Sequence, residues 1–593
     1  MSDSAALLDF HVADLDRWGD VGEARNVALD LSRKWSERAL ESIHGIEHER
    51  RDHAIGGLDS ELAAAQSVID RHALQRCAHS LAKHWHMLRQ VIIDVESGAG
   101  LIGIQYIHSD HSHYYRTLKF SRHLIVTATV AMAVVVAIRM LFGPFRLGSL
   151  TVTTPLNPEG FFGLSVTIIL LTRLSKARRV GTANKRGIAL MALGVAAISV
   201  IALRRVLGIY FLSDDFILVR IGEQWNAAAF RYSMTHGGGD GFFRPLGFVS
   251  FALSARWSGA DAAGWHAGSL ALHSANCVLV LLIARRLGAS IAAAGFAGAL
   301  FAVHGIHPEA VAWIAGRFDL MATFFLLSGL LLFTMGGGVG WHVAALSCFT
   351  VAALTKESAF IFPLLIAGYA RTRRQPLRST MSYFGLAAIL FAYRWSLLGG
   401  IGGYIDQATG RPAALSLGVG STLKAVAVRL WSSLYFPLNW SADPALPLAL
   451  LAIVYMAALV WLAVSTRPSR LLLPLAAAIL VSVIPVLSLL AGSPALSGSR
   501  VLYLPSVWFA ILLALALDGI PDRARYALGT VILLFHCAAL QHNLSFWEAA
   551  SARVKAACAM GVPAVPDTID GVPALANGRA ECIEIAHSRL TNP

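Results

Sequence analysis

Charge is what this chain has least of. Only 14% of its 593 residues are Asp, Glu, Lys or Arg, where soluble domains carry roughly 25%. With 56% of the residues hydrophobic, a soluble fold has no interior large enough to hide the apolar surface. Cysteine is sparse too: six in the whole chain make no framework and exclude a small secreted disulfide scaffold. A nucleotide loop is also missing, because the glycine clusters Gly237–Gly241 and Gly399–Gly403 lack the strand, helix and lysine that such a loop needs. The start shows no cleavable signal sequence, so the first apolar segment is expected to act as the anchor. Acidic residues are outnumbered, 36 against 49 basic, for a net charge of +13. The basic residues sit in short loops between apolar runs, where they orient helices in a bilayer, so no nucleic-acid partner is expected.

What the chain does have is long apolar segments. From His123 onward, candidate spans follow at about 123–142, 159–174, 187–211, 264–285, 289–305, 312–335, 340–355, 357–371, 381–397, 445–464, 471–490, 501–517 and 525–541. A further segment, 421–437, is interrupted by Arg429 and ends at Pro437; it either crosses or lies in the interface. Basic clusters at Lys176–Arg186, Arg285/Arg286, Arg371–Arg378, Arg467/Arg470 and Arg523/Arg525 fall on one side if 421–437 does not cross, as cytoplasmic loops should. The expected class is therefore all-α, a polytopic transmembrane bundle of about thirteen spans. Four parts are expected: a small helical cytosolic extension (1–121), two additional spans (122–186), the main membrane module (187–545) and a short non-cytoplasmic tail (546–593). The extension is rich in histidine, with groups His84/His86 and His108/His111/His113, read as solvated surface residues. Cys558 and Cys582 share the tail, in a compartment where disulfides persist, and a bridge between them is one reading; two free thiols are the other.

Nearly all the unusual polar residues fall on the non-cytoplasmic side. Asp214 and Asp215 leave an apolar helix side by side, where mutual repulsion raises one pKa or attracts a cation. They read as a general base facing a lipid-borne substrate, or as a helix stop with a solvated acidic turn. His304, His307 and Glu309 lie within six residues and are candidate ligands for a divalent metal, Mg or Mn; the alternative is interfacial imidazoles bonded to backbone carbonyls. Lys356–Glu357 marks either a substrate cavity or a surface turn, since charge inside a membrane unit must be paired or face a cavity. Arg500 suits a lipid phosphate through its planar fork, or snorkels to ordinary headgroups.

The order of these motifs carries a resemblance. Asp214-Asp215, then Phe243-Arg244-Pro245-Leu246, Gly264-Trp265-His266, Leu272-His273-Ser274-Ala275-Asn276, the run His304 to Asp319, Thr355-Lys356-Glu357, Phe436-Pro437-Leu438-Asn439 and Arg500 to Pro505 resemble the membrane half of the tetratricopeptide-containing protein O-mannosyltransferases, and more broadly GT-C-fold glycosyltransferases. The likeness covers roughly 187–545. It implies sugar transfer from a polyprenyl-phosphate donor to an acceptor protein or glycan, on the non-cytoplasmic face of a multi-pass membrane protein, such as the periplasmic face of a bacterial inner membrane. Asp214 or Asp215 would take the acceptor proton, and Arg244, Lys356, Glu357, Arg500 and Tyr503 would serve the substrate. The sequence departs from the pattern at His304-Gly305, where the family has His-Pro, and no tetratricopeptide array follows the last span. A transporter or flippase of lipid-linked intermediates is the competing reading, but the halves show no internal repeat of the kind such proteins carry. An inactive scaffold is a third, against which the intact acidic pair counts.

Overall fold

The computed structural model describes residues 111–147, 150–152, 156–172, 185–236, 241–336, 338–405, 410, 412–413, 416, 418–466, 470–490, 495–561 and 565–591. Most of the expected extension, with His84, His86 and His108, lies outside them. The chain divides into two units, residues 1–101 with 146–151, and the remainder. The described residues of the first belong to two short paired strands, Phe145–Leu147 and Leu150–Val152.

The second unit is almost wholly helical, the class that its composition requires. Away from water a backbone must satisfy its own N–H and C=O groups, and a helix does so within one segment. Among the described residues nine helices are long and apolar enough to cross a membrane: Leu124–Phe142, Lys185–Gly208, Ala262–Leu287, Ile314–Met335, Leu377–Leu398, Leu446–Ser465, Leu472–Leu489, Ser499–Leu517 and Asp522–Ala559. These nine, counted among the described residues, do not confirm the expected count of about thirteen. Leu156–Leu171, Ile291–Val303 and Val339–Ala353 are apolar but shorter, and Phe362–Thr372 has 11 residues. Polar turns cut these runs: His304 to Gly316 ends one helix and Lys356–Glu357 separates two others. The helices His111–Phe142, Lys185–Leu203 and Asp522–Ala559 run across positions 121, 186 and 545.

Segment 421–437 is helical around a π-turn at Ala425–Arg429, and it packs on Leu156–Leu171. Gly160 lies against the Val428 carbonyl and Gly163 against Tyr435 so closely that neither position has room for a Cβ, the small-residue contact by which helices pack in lipid. Thr167 and Tyr435 then share a hydroxyl hydrogen bond of 2.9 Å.

The helices have two distinct ends. Arg373 donates to the Arg286 carbonyl, Ser290 bonds both oxygens of Asp518 at 2.8 and 2.6 Å, and Arg525 lies 3.4 Å from Asp518. The basic loops at 285–286, 371–373 and 523–525 therefore share one end. Helices Ala262–Leu287, Ile291–Val303 and Tyr503–Leu517 each have one terminus there, and their other termini carry Trp265, His304 and Arg500. The motif residues thus gather at the opposite end. Ser499–Leu517 runs through the centre, and every residue from Tyr503 to Leu517 is buried. Asp522–Ala559 starts at the basic end and has 38 residues. At 1.5 Å per residue it is roughly 57 Å long, against a hydrocarbon layer of about 30 Å, so its last turns project beyond the motif end. There Cys558 is bonded to Cys582, with their Cα atoms 5.5 Å apart.

Candidate functional site

The acidic pair sits in a turn between the 3-10 turn Arg204–Gly208 and the short helix Asp215–Gln224, and its two carboxylates have different jobs. Asp215 is wholly buried. Its Oδ2 accepts the Leu212 N–H at 3.1 Å and its Oδ1 the Ala315 N–H at 3.1 Å, which ties the turn to the segment after Glu309. Burial pushes the Asp215 carboxyl well up; the backbone N–H groups oppose that and the neighbouring Asp214 adds to it. Asp214 is half-buried, and its Oδ1 accepts from Asn577 Nδ2 at 2.7 Å. Of the two, Asp214 is the more exposed carboxylate.

Three of the candidate cations are held by carboxylates. Arg244 forks onto Glu357, with Nη2 to Oε1 at 2.6 Å and Nε to Oε2 at 3.0 Å, and lies over the rings of Phe242 and Phe318 at 4.0 and 5.1 Å. Lys356 Nζ meets Asp319 Oδ2 at 2.5 Å. Burial lowers the Lys356 ammonium, against the pull of Asp319. Burial works to raise Glu357, but the Arg244 guanidinium and Lys356 outweigh it and bring its pKa to about 2. Arg500 Nη1 meets Glu309 Oε1 at 2.5 Å, and Glu309 also accepts from the Arg500 N–H at 3.0 Å, Ser499 Oγ at 3.0 Å and the Gly498 N–H at 3.1 Å. The Arg500 guanidinium stands 4.4 Å over the Trp313 ring, whose Nε1–H donates to the Leu212 carbonyl at 3.2 Å. One indole therefore joins Arg500 to the turn that carries Asp214.

Several candidate residues do other work. His304, His307 and Glu309 do not converge as metal ligands. His304 bonds the Leu434 carbonyl through Nε2 at 3.0 Å and accepts the Ile306 N–H at Nδ1 at 3.3 Å; His307 Nε2 bonds Ser506 Oγ at 3.0 Å; Glu309 clamps the 498–500 turn. Among the described residues no group of three or more His, Cys, Asp or Glu can hold a metal ion. Both imidazoles are buried, His304 on a backbone carbonyl and His307 on a hydroxyl. Tyr503 lies one turn deeper than Arg500, buried, with its hydroxyl on His273 Nδ1 at 2.7 Å and Asn276 Nδ2 at 3.2 Å; it belongs to the core rather than to the substrate face.

Three contacts of the turn lie outside the candidate site residues. Trp313 and Arg317 stood in the sequence only as members of the run His304 to Asp319. Arg317 is buried and held by Ser269, Ser254, Ser250 and Trp265, fixing the start of the helix behind the acidic turn. Asn577, 363 positions from Asp214, stands in a polar tail with no local pattern. Asn439 and Asn543, which match a glycosylation pattern, are buried and bonded to each other's segment, Asn543 Oδ1 accepting the Asn439 N–H at 2.9 Å.

No protein-family profile matches the chain. Individual proteins do. A stretch of 90 residues is 46% identical to protein O-mannosyl-transferase Tmtc2 of Drosophila melanogaster, covering 15% of this chain and 10% of that protein. Over 144 residues it is 33% identical to the Xenopus laevis protein O-mannosyl-transferase tmtc2, with 22% and 17% covered. The human protein O-mannosyl-transferase TMTC2 is 33% identical over 132 residues, with 21% and 16% covered. The matched part thus spans 10–17% of the length of these relatives. Over at most about a fifth of its length this helical membrane chain is similar to proteins named protein O-mannosyl-transferases, the same group that its motif order resembles.

Proposed function

We propose that the chain is a membrane glycosyltransferase, a hexosyltransferase of the GT-C type, which moves a sugar from a polyprenyl-phosphate donor to a hydroxyl of an acceptor protein or glycan. The observation that carries this reading is the division of labour in the acidic turn: Asp215 is locked in the protein, while Asp214 stays half-buried in the turn whose Leu212 carbonyl is bonded by Trp313, the ring under Arg500. The acceptor oxygen attacks the anomeric carbon, and the bond from that carbon to the phosphate oxygen breaks. The acceptor proton passes to Asp214 as general base. The departing polyprenyl phosphate leaves with its electron pair, and its negative charge develops near Arg500, held in place beforehand by Glu309 and Trp313. Binding the donor from the bilayer supplies proximity. His304, His307 and Glu309, each engaged by the protein's own groups, do not fit a divalent ion.

Charge supports the face assigned to the site. The basic loops gather at one end of the helices and the acidic turn at the other, and Lys and Arg mark the cytoplasmic side. This supports a site on the non-cytoplasmic face, which is the periplasmic one if the chain works in a bacterial inner membrane. The similarity to proteins named O-mannosyl-transferases makes polyprenyl-phosphate mannose the first donor to try. The test incubates purified protein in lipid with a panel of polyprenyl-phosphate sugars and acceptor peptides or glycans, and follows released polyprenyl phosphate. Release by the native chain and its loss in Asp214→Asn is the expected result. Failure to release it from any donor, with passage of intact donor across the bilayer, would replace this reading by a transporter.

A further inference from the structure

The tail beyond the last long helix folds back onto the acidic turn. The Ser213 N–H donates to the Ala574 carbonyl at 2.8 Å, and Asn577 Nδ2 donates to Asp214 Oδ1 at 2.7 Å. Gly578, at φ +75°, presses on the turn so closely that a Cβ would lie 2.9 Å from Phe216 Cβ and 3.1 Å from the Ser213 carbonyl. Farther out, Arg220 pairs with Glu584, and Asn439 Nδ2 and Ser441 Oγ hold the Asp570 carbonyl at 3.1 and 3.0 Å. Within the tail, Thr568–Ile569 pairs with Val572–Pro573, Arg579 meets Asp567 at 3.0 Å, and Cys558–Cys582 closes the loop onto the long helix. Ser213 itself has φ +47°, a backbone region that a non-glycine residue keeps only when its surroundings hold it. The Ala574 carbonyl is one of those holds.

We infer that the disulfide-closed tail is a wall of the active site and that Asn577 is a positioning residue, which holds Oδ1 of Asp214 and leaves Oδ2 to face the acceptor hydroxyl. The inference deepens the glycosyltransferase reading and rests on it. A carboxylate at the start of a helix is free to rotate about its last torsion, a broad and soft coordinate. A donor fixed by a separate chain segment removes that freedom before the acceptor arrives, which is the arrangement that raises kcat rather than binding. Asn577 acts through the Asp214 carboxylate, so its loss should fall on kcat rather than on KM.

The experiment compares native protein with Asn577→Leu, Asn577→Gln and the double variant Cys558→Ser/Cys582→Ser, all in lipid. It reads kcat and KM for polyprenyl-phosphate release, and hydrogen exchange of the Ser213 amide as a report of tail docking that needs no activity. Asn577→Leu should lower kcat roughly 10-fold, the scale of one hydrogen bond to a charged group, with KM unchanged and Ser213 still protected. Asn577→Gln, which keeps an amide donor, should recover part of the loss. The double cysteine variant should lose both Ser213 protection and kcat. Native kcat in Asn577→Leu with Ser213 protected overturns the positioning role while the glycosyltransferase reading stands. A fall in kcat accompanied by loss of Ser213 protection in Asn577→Leu also overturns it, because the residue would then be only a structural tie. No turnover by native protein with any donor overturns both readings together.

Discussion

The two adjacent aspartates offer a sharp test, because the same Asp→Asn change should fail in two different ways. In Asp214→Asn the side chain keeps its shape and can still take the Asn577 hydrogen bond at its oxygen, but it no longer accepts a proton. Turnover should fall by roughly 10²–10⁴, the range of a general base, equivalent to about 3–5 kcal/mol on the barrier. Folding should be unaffected. In Asp215→Asn one of the two backbone donors, Leu212 N–H or Ala315 N–H, must face an NH₂ group instead of an oxygen. A buried donor left without its acceptor costs about 1–3 kcal/mol, so this variant should melt early and lose activity through the turn. Both variants are assayed in lipid for polyprenyl-phosphate release and for thermal unfolding. Native stability in Asp215→Asn together with complete loss of turnover, while Asp214→Asn stays active, would refute the division of roles: Asp215 would then be the base, and its buried pose a resting one.

Three further outcomes are expected. Glu357 has its folded pKa depressed to about 2 from an ordinary 4.5 by Arg244 and Lys356; such a group contributes stability above its unfolded pKa that is lost as pH falls through the folded one. Thermal unfolding of native protein should therefore lose stability between about pH 4.5 and 2, and Arg244→Leu should flatten that part of the profile. Gly160→Val should prevent Leu156–Leu171 from meeting the π-turn at Val428, read as loss of monodisperse protein on size exclusion, whereas Gly194→Val, at an open position, should not. Cys558 and Cys582 should be recovered as one linked peptide pair from non-reduced protein, and breaking the bond should destabilise the tail by roughly 3 kcal/mol; two alkylatable thiols in native protein would contradict it.

The membrane character, the helical class and the positions of most helices were legible in the sequence because they depend on a local property, the length of an apolar run set by bilayer thickness. The division of the chain into a basic end and a polar end was legible for a similar reason, since charge near the ends of helices acts on insertion one loop at a time. Where a polar turn such as Lys356–Glu357 interrupts an apolar run was legible too, but what that turn pairs with was not. Asp319 and Arg244 supply those partners from 37 and 113 positions away. The candidate site shows the same boundary. Composition and order singled out Asp214, Asp215, Arg244, Lys356, Glu357 and Arg500, but two neighbouring aspartates look alike in a sequence, and only the folded turn buries one against Ala315 and leaves the other beside Asn577. Likewise His304, His307 and Glu309 have ligand-like spacing, yet four donors from the 498–500 turn saturate Glu309. Residue type and spacing determine what a side chain can do; which partner reaches it first is decided by segments hundreds of residues apart, through packing that no local pattern encodes.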